Sequence, residues 1–86
     1  MEDYLIISFE SVNYAMQTES ILKNENIELQ IMPTPREITL SCGVSIKTPV
    51  ENLNKIQTLM ENRLVTIKEL YMCVFINNQK LIKKFE

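Results

Sequence analysis

The sequence contains no histidine and only two cysteines, Cys42 and Cys73. Without histidine, the Ser–His and Cys–His pairs of nucleophilic catalysis are excluded, because the general base is missing. Two cysteines also fall short of the four ligands of a usual zinc site, so we expect no metal and no cofactor. With a single glycine there is no Gly-rich phosphate loop either. The sequence therefore predicts a protein that is not an enzyme.

Glycine and proline are scarce, with one glycine and three prolines among 86 residues. This scarcity argues against a disordered or low-complexity chain. Hydrophobic residues make up 45% of the sequence, which is ordinary for a globular protein. We therefore expect a single domain over residues 1–86 with one modest core.

Positive charge is limited, since nine Lys and Arg face eleven Asp and Glu, a net charge of −2. Nucleic-acid binding needs clustered positive charge, so no nucleic-acid partner is expected. The N-terminus starts acidic and does not resemble a signal peptide. The longest apolar run, residues 70–76, is too short to cross a bilayer, so no membrane partner is expected. We expect a cytoplasmic protein with reduced thiols.

Hydrophobic periodicity predicts the element order β-α-β-β-α-β. The predicted elements are a strand over 4–9, a helix capped by Ser11 that ends near 24–26, a strand over 27–32, a strand over 44–47, a helix with Thr48 as its cap that ends near Glu61, and strand-rich residues 65–76. Asn77 and Asn78 predict a tight turn into a short edge strand over 80–85.

This order predicts an α+β fold, a ferredoxin-like two-layer sandwich with a short C-terminal extension. Right-handed crossovers would place both helices on one face of an antiparallel sheet, with the first and third strands in its centre. The fourth strand is apolar on both sides, which leaves the second sheet face to explain. Either the C-terminal segment folds over part of it, or a homodimer forms through this open sheet face.

The connection between the second and third strands is unusually long. A hairpin needs only two to five residues, yet residues 33–43 lie between these strands. The segment holds Pro33, Pro35, Arg36, Cys42 and the only glycine, Gly43. Connections of this length in small domains usually carry function.

The segment also resembles a known family of small bacterial selenium/sulfur carrier-like proteins. The resemblance rests on Pro33, Thr34, Pro35, Arg36, Glu37, Ile38, Ser41, Cys42 and Gly43, and extends to Ala15, Glu19 and Tyr71. Leu40 departs from the small residue that the family has before its cysteine. The resemblance implies a carrier that holds the atom as a persulfide or selenopersulfide on Cys42. Sulfur or selenium donor and acceptor proteins would be its partners.

A carrier thiol must be exposed and partly ionised. Gly43 leaves room for a partner beside Cys42, and Arg36 is expected to favour the thiolate if the segment folds back on itself. No helix begins at Cys42, so the helix dipole that activates many thiols is missing. The alternative is that Cys42 packs as a small apolar residue at the start of the third strand, with Gly43 as a bulge. Cys73 is expected to pack inside its strand.

Glu19 lies within the apolar stripe of the first helix. It is either solvated at the edge of the stripe or paired with Arg36, which would pin the long connection to the helix. The candidate site therefore comprises Cys42, Arg36, Gly43, Pro35 and Glu19.

Two other classes of function remain open. The protein is alternatively an interaction or regulatory module that docks a partner through the long connection or the open sheet face. In the second class, the protein is a small-anion binder that uses loop N–H groups and Arg36.

Overall fold

The structure is a computed structural model that describes residues 3–36, 38 and 43–85. Its elements are β1 (Tyr4–Ser8), α1 (Val12–Asn24), β2 (Gln30–Pro33), β3 (Val44–Pro49), a 3-10 turn (Val50–Asn52), α2 (Leu53–Glu61), β4 (Glu69–Ile76) and β5 (Gln79–Lys84).

The strands form one antiparallel sheet in the order β2-β3-β1-β4-β5. Two helices and five antiparallel strands make an α+β fold, as predicted. β1 pairs with both β3 and β4, and β3 lies between β2 and β1, so the prediction that the first and third strands are central is confirmed. β5 lies at the edge of the sheet beside β4, so the predicted short edge strand over 80–85 is confirmed.

One face of the sheet packs against both helices. From β1 it presents Leu5 and Ile7, which lie in one buried cluster with Leu22 of α1 and Ile56 of α2. Burying a leucine or isoleucine side chain contributes about 1.5–3 kcal/mol each, so this cluster is the main source of stability. Successive residues of a strand point to opposite faces, so the pairing register decides which residues lie on the side of the sheet away from the helices.

Both helices end in the same way, with a residue in the left-handed conformation. Asn26 after α1 and Arg63 after α2 each have a φ of 58°. In each case the next residue donates its N–H back into the last helical turn, from Ile27 to Leu22 and from Leu64 to Leu59. These are Schellman ends, which satisfy carbonyls that the helix leaves unpaired. Asparagine tolerates this conformation well, so the predicted end of the first helix is confirmed.

The prediction that Thr48 caps the second helix is wrong. β3 continues to Pro49, and Thr48 lies buried within it on the helix side of the sheet. Its hydroxyl donates to the Glu28 carbonyl oxygen at 2.6 Å and accepts from the Asn52 amide at 3.1 Å. The Thr48 hydroxyl therefore connects β3 to the segment before β2 and to the 3-10 turn, and these bonds satisfy a buried polar group.

The predicted tight turn at Asn77 and Asn78 is confirmed. Both residues have positive φ, 52° and 66°, as in the type I′ turn that suits a two-residue hairpin. β5 then runs beside β4 in the plane of the sheet. The C-terminal segment therefore extends the sheet and does not fold over its second face, so that alternative is wrong.

We call this second face, away from the helices, the open face. The register places on it alternate residues of every strand: Gln30 and Met32, Ser45 and Lys47, Tyr4, Ile6 and Ser8, Tyr71, Cys73 and Phe75, and Lys80, Ile82 and Lys84. It is more polar and more aromatic than the helix side. A homodimer through this face stays a prediction.

Candidate functional site

The long connection between β2 and β3 is held closed at its base. Pro33 and Val44 are the last paired residues of the two strands. Beyond them, the Thr34 N–H donates to the Gly43 carbonyl oxygen at 3.2 Å. We call residues 34–43 the connector. This hydrogen bond joins the two ends of the connector. The pairing of β2 with β3 therefore continues for one residue beyond Pro33 and Val44.

A side-chain hydrogen bond reinforces the same point. The hydroxyl oxygens of Thr34 and Ser45 are 2.7 Å apart. Ser45 is fully buried, and its side chain lies on the open face opposite Ser8 of β1. Because a buried hydroxyl is costly to leave unpaired, this bond ties the start of the connector to the open face. No local sequence pattern indicates this role for Thr34 or Ser45, which are brought together by the register of β2 and β3.

The first residues of the connector form a turn. The Ile38 N–H donates to the Pro35 carbonyl oxygen at 3.1 Å. Arg36 lies within this turn and is exposed. Its cation is therefore presented at the connector end of the sheet, where a partner can reach it.

Cys42 lies outside the described residues, together with 37 and 39–41. Its proposed contact with Arg36 therefore stays a prediction. The structure does describe the next residue, Gly43. This glycine is exposed, and its carbonyl oxygen accepts a hydrogen bond from the Thr34 N–H.

Gly43 does not have a left-handed backbone conformation. The positive φ values among the described residues belong to other positions, so this glycine is not required by a left-handed backbone. A Cβ placed on it meets no described atom within 4 Å. None of the described residues therefore fills the space beside Gly43, and the expectation that this glycine leaves room for a partner stays a prediction.

Glu19 does not pair with Arg36 in the structure. Its carboxylate lies 3.3 Å from the Lys23 ammonium, one turn further along α1, and a quarter of the Glu19 side chain is exposed. The helix α1 begins at the connector end of the sheet. Glu19 lies about two turns, roughly 10 Å, from the start of this helix, which places its carboxylate away from the connector. Its place at the edge of the apolar stripe is the alternative that the structure supports.

Cys73 is fully buried, in β4 on the open face. Its neighbours across the strands are Tyr4 and Ile82. Packing is therefore its role, and a partner cannot reach this sulfur in the folded chain.

Within the described residues, no group of three or more Cys, Asp or Glu is placed to hold a metal ion. None of the helices in that part of the chain has the length and hydrophobicity to cross a membrane.

The fold and the connector together define a small α+β protein whose sheet carries one long, cysteine-containing connection. The chain belongs to the family described as "Putative Se/S carrier protein-like", whose model matches residues 4–72. The match includes the whole connector and ends within β4. No curated protein and no solved structure matches the chain significantly.

Proposed function

We propose that the protein is a non-enzymatic carrier that holds sulfur or selenium on Cys42 as a persulfide or selenopersulfide. The family to which the chain belongs supports this proposal through its name, since the matched residues contain the connector. The single structural observation that carries it is the burial of Cys73, because the chain has only one other thiol.

A carrier cysteine must reach two partners in turn, and the connector suits this task. Thr34 and Ser45 hold its base, so the segment that contains Cys42 is attached to a rigid sheet at both ends. The open space at Gly43 and the exposed cation of Arg36 lie on the same segment. A cation near a thiol favours the thiolate, which is the reactive form.

The transfer step follows thiol exchange chemistry. The Cys42 thiolate attacks the terminal sulfur of a donor persulfide, R–S–SH, and a new S–S bond forms as the donor S–S bond breaks. The donor leaves as the thiolate R–S⁻, and the terminal sulfur moves with its proton, so no external oxidant is needed. An acceptor thiolate then takes that sulfur from Cys42 by the same step.

This function fixes the partners and the setting that we propose. They are a donor protein that presents a persulfide or its selenium counterpart and an acceptor protein with a nucleophile. A reducing cytoplasm keeps Cys42 available between transfers. We further propose that the scaffold is of the ferredoxin-like class, with β5 added at the edge, because β1 lies between β3 and β4 and each helix connects two strands that flank a third.

The test is the intact mass of the protein after incubation with a cysteine desulfurase and L-cysteine. The expected result is the gain of one sulfur atom, absent in Cys42→Ser and retained in Cys73→Ala. A reducing agent should remove the added sulfur. Failure of the native chain to gain sulfur, or an unchanged gain in Cys42→Ser, would overturn the proposal.

A second candidate is a docking module, favoured by the open face. Tyr71 and Phe75 are half-buried there, and none of the described strands or helices covers them. Under this alternative the face binds a partner or a second copy of the chain. Light scattering that gives twice the chain mass, together with no sulfur gain, would favour it over the carrier.

A further inference from the structure

A cleft of about 600 Å³ lies at the end of the sheet opposite the connector. It is bounded by residues from the start of β1, the end of β3, the segment before β2 and the end of β4. Tyr4 pairs with Pro49, whereas Ser8 pairs with Ser45 beside the connector, so the two sites are about four residues, roughly 13 Å, apart along β1. The cleft is within the size range of small-molecule sites.

One wall of the cleft is aromatic and carries a cation. The rings of Tyr4 and Phe75 lie with centroids 6.1 Å apart. The Lys47 ammonium lies 4.3 Å from the centroid of the Tyr4 ring. The ion pairs within the described part of the chain do not include Lys47, although the residue is half-buried. A half-buried ammonium held against a ring is a ready partner for an anionic group.

Two acidic residues, Asp3 and Glu28, are also part of the lining. Asp3 is fixed in place, because its Oδ1 accepts a hydrogen bond from the Phe75 N–H at 3.2 Å. The backbone at Glu28 is fixed as well, since its carbonyl accepts the Thr48 hydroxyl. The cleft is therefore formed before any ligand binds, and it carries two negative charges and one positive charge.

We propose that this cleft binds a zwitterionic α-amino acid with an apolar side chain. The ligand carboxylate pairs with Lys47, and its ammonium pairs with the acidic side formed by Asp3 and Glu28. Its side chain packs against Tyr4 and Phe75. A simple anion would gain Lys47 but would meet two like charges, and a simple amine would leave Lys47 without a partner, so a ligand with both charges fits best. This inference is independent of the sulfur-carrier proposal, since it uses none of the connector residues.

The experiment titrates the full-length, ¹⁵N-labelled chain at pH 7 with L-leucine and with two analogues that each lack one charge, 4-methylpentanoate and 3-methylbutylamine. The expected result is saturable amide shifts from L-leucine at residues 28–30, 47, 48 and 75, with both analogues at least about tenfold weaker. Equal binding of 4-methylpentanoate would make the cleft an anion site, and equal binding of 3-methylbutylamine would make it a cation site. Either result would overturn the proposal. It would also be overturned if L-leucine, L-methionine and L-phenylalanine all failed to shift these amides.

Charge-removing variants locate the two interactions. Lys47→Met keeps the aliphatic stem on Tyr4 and should weaken L-leucine by about tenfold or more, whereas Lys55→Met, an exposed change on α2, should have no effect. Asp3→Asn keeps the oxygen that accepts from Phe75 and should weaken L-leucine without weakening 4-methylpentanoate. If a folded Lys47→Met variant bound L-leucine as tightly as the native chain, the pairing of the ligand carboxylate with Lys47 would be contradicted.

Discussion

The same sheet contains two hairpin connections of very different length. Asn77 and Asn78 alone join β4 to β5, while ten residues, 34–43, join β2 to β3. Both connect adjacent antiparallel strands, so the geometry of the sheet requires only the short form. The connector is therefore longer than turning the chain requires, and it holds the only cysteine besides the buried Cys73.

The largest effect is expected when the long connection is made short. Replacing residues 35–42 with Asn-Gly keeps the Thr34 and Gly43 pair and supplies the type I′ turn that β4 and β5 use. We expect the fold to persist and sulfur loading to disappear completely. The measurements are the circular dichroism melt and the intact mass after incubation with the desulfurase. A chain that still gains sulfur would contradict the comparison.

The next effect concerns the bond that fixes the base of the connector. Ser45→Ala leaves the Thr34 hydroxyl without its partner and should lower the free energy of unfolding by about 1–2 kcal/mol. Urea denaturation measures this loss. Hydrogen exchange should rise at Thr34 more than at Asn78, because only the long connection depends on this bond. A uniform rise across both hairpins would show that Ser45 acts on the whole sheet.

The short turn offers a smaller change of opposite sign. Asn78 has a φ of 66°, which glycine adopts more easily than asparagine. Asn78→Gly should raise the free energy of unfolding by a few tenths to about 1 kcal/mol, and Asn78→Ala should lower it by about 1 kcal/mol. Sulfur loading should be unchanged in both variants. If either variant altered loading, the two connections would not be independent.

The smallest effect is expected at Glu19. Its partner is Lys23 on the same helix, and an ion pair of this i,i+4 spacing on a helix contributes about 0.3–0.5 kcal/mol. Glu19→Ala should therefore lower stability slightly and leave proteolysis of the connector unchanged, as should the matched variant Lys23→Ala. If Glu19→Ala alone were cleaved faster within residues 34–43, the result would contradict this account and support a Glu19–Arg36 ion pair.

Local patterns in the sequence predict most of the fold. The alternation of Val44 to Lys47 and the pair Asn77–Asn78 are short-range signals, and the structure confirms both. Thr48 was misassigned because its hydroxyl is satisfied by the carbonyl of Glu28, twenty positions away, which no local rule identifies.

The connector and the cleft differ in the same respect, namely whether the sequence predicts them. The connector could be found from its length and composition, since an overlong hairpin is visible in one sequence. The cleft could not, because Asp3 and Phe75 meet only through strand pairing across almost the whole chain. The face of the sheet on which a charged residue lies depends on the register of strand pairing. This register involves strands that are far apart in the sequence, so no local pattern predicts it.

The most direct test of the carrier role compares the two thiols in the folded chain. We expect Cys42 to react with a thiol probe at neutral pH on the order of a hundredfold faster than Cys73, since the buried strand must open before Cys73 can react. The two rates should become similar in denaturant. Labelling of Cys42 in the folded protein that is as slow as that of Cys73 would contradict the claim that the connector presents a reactive sulfur.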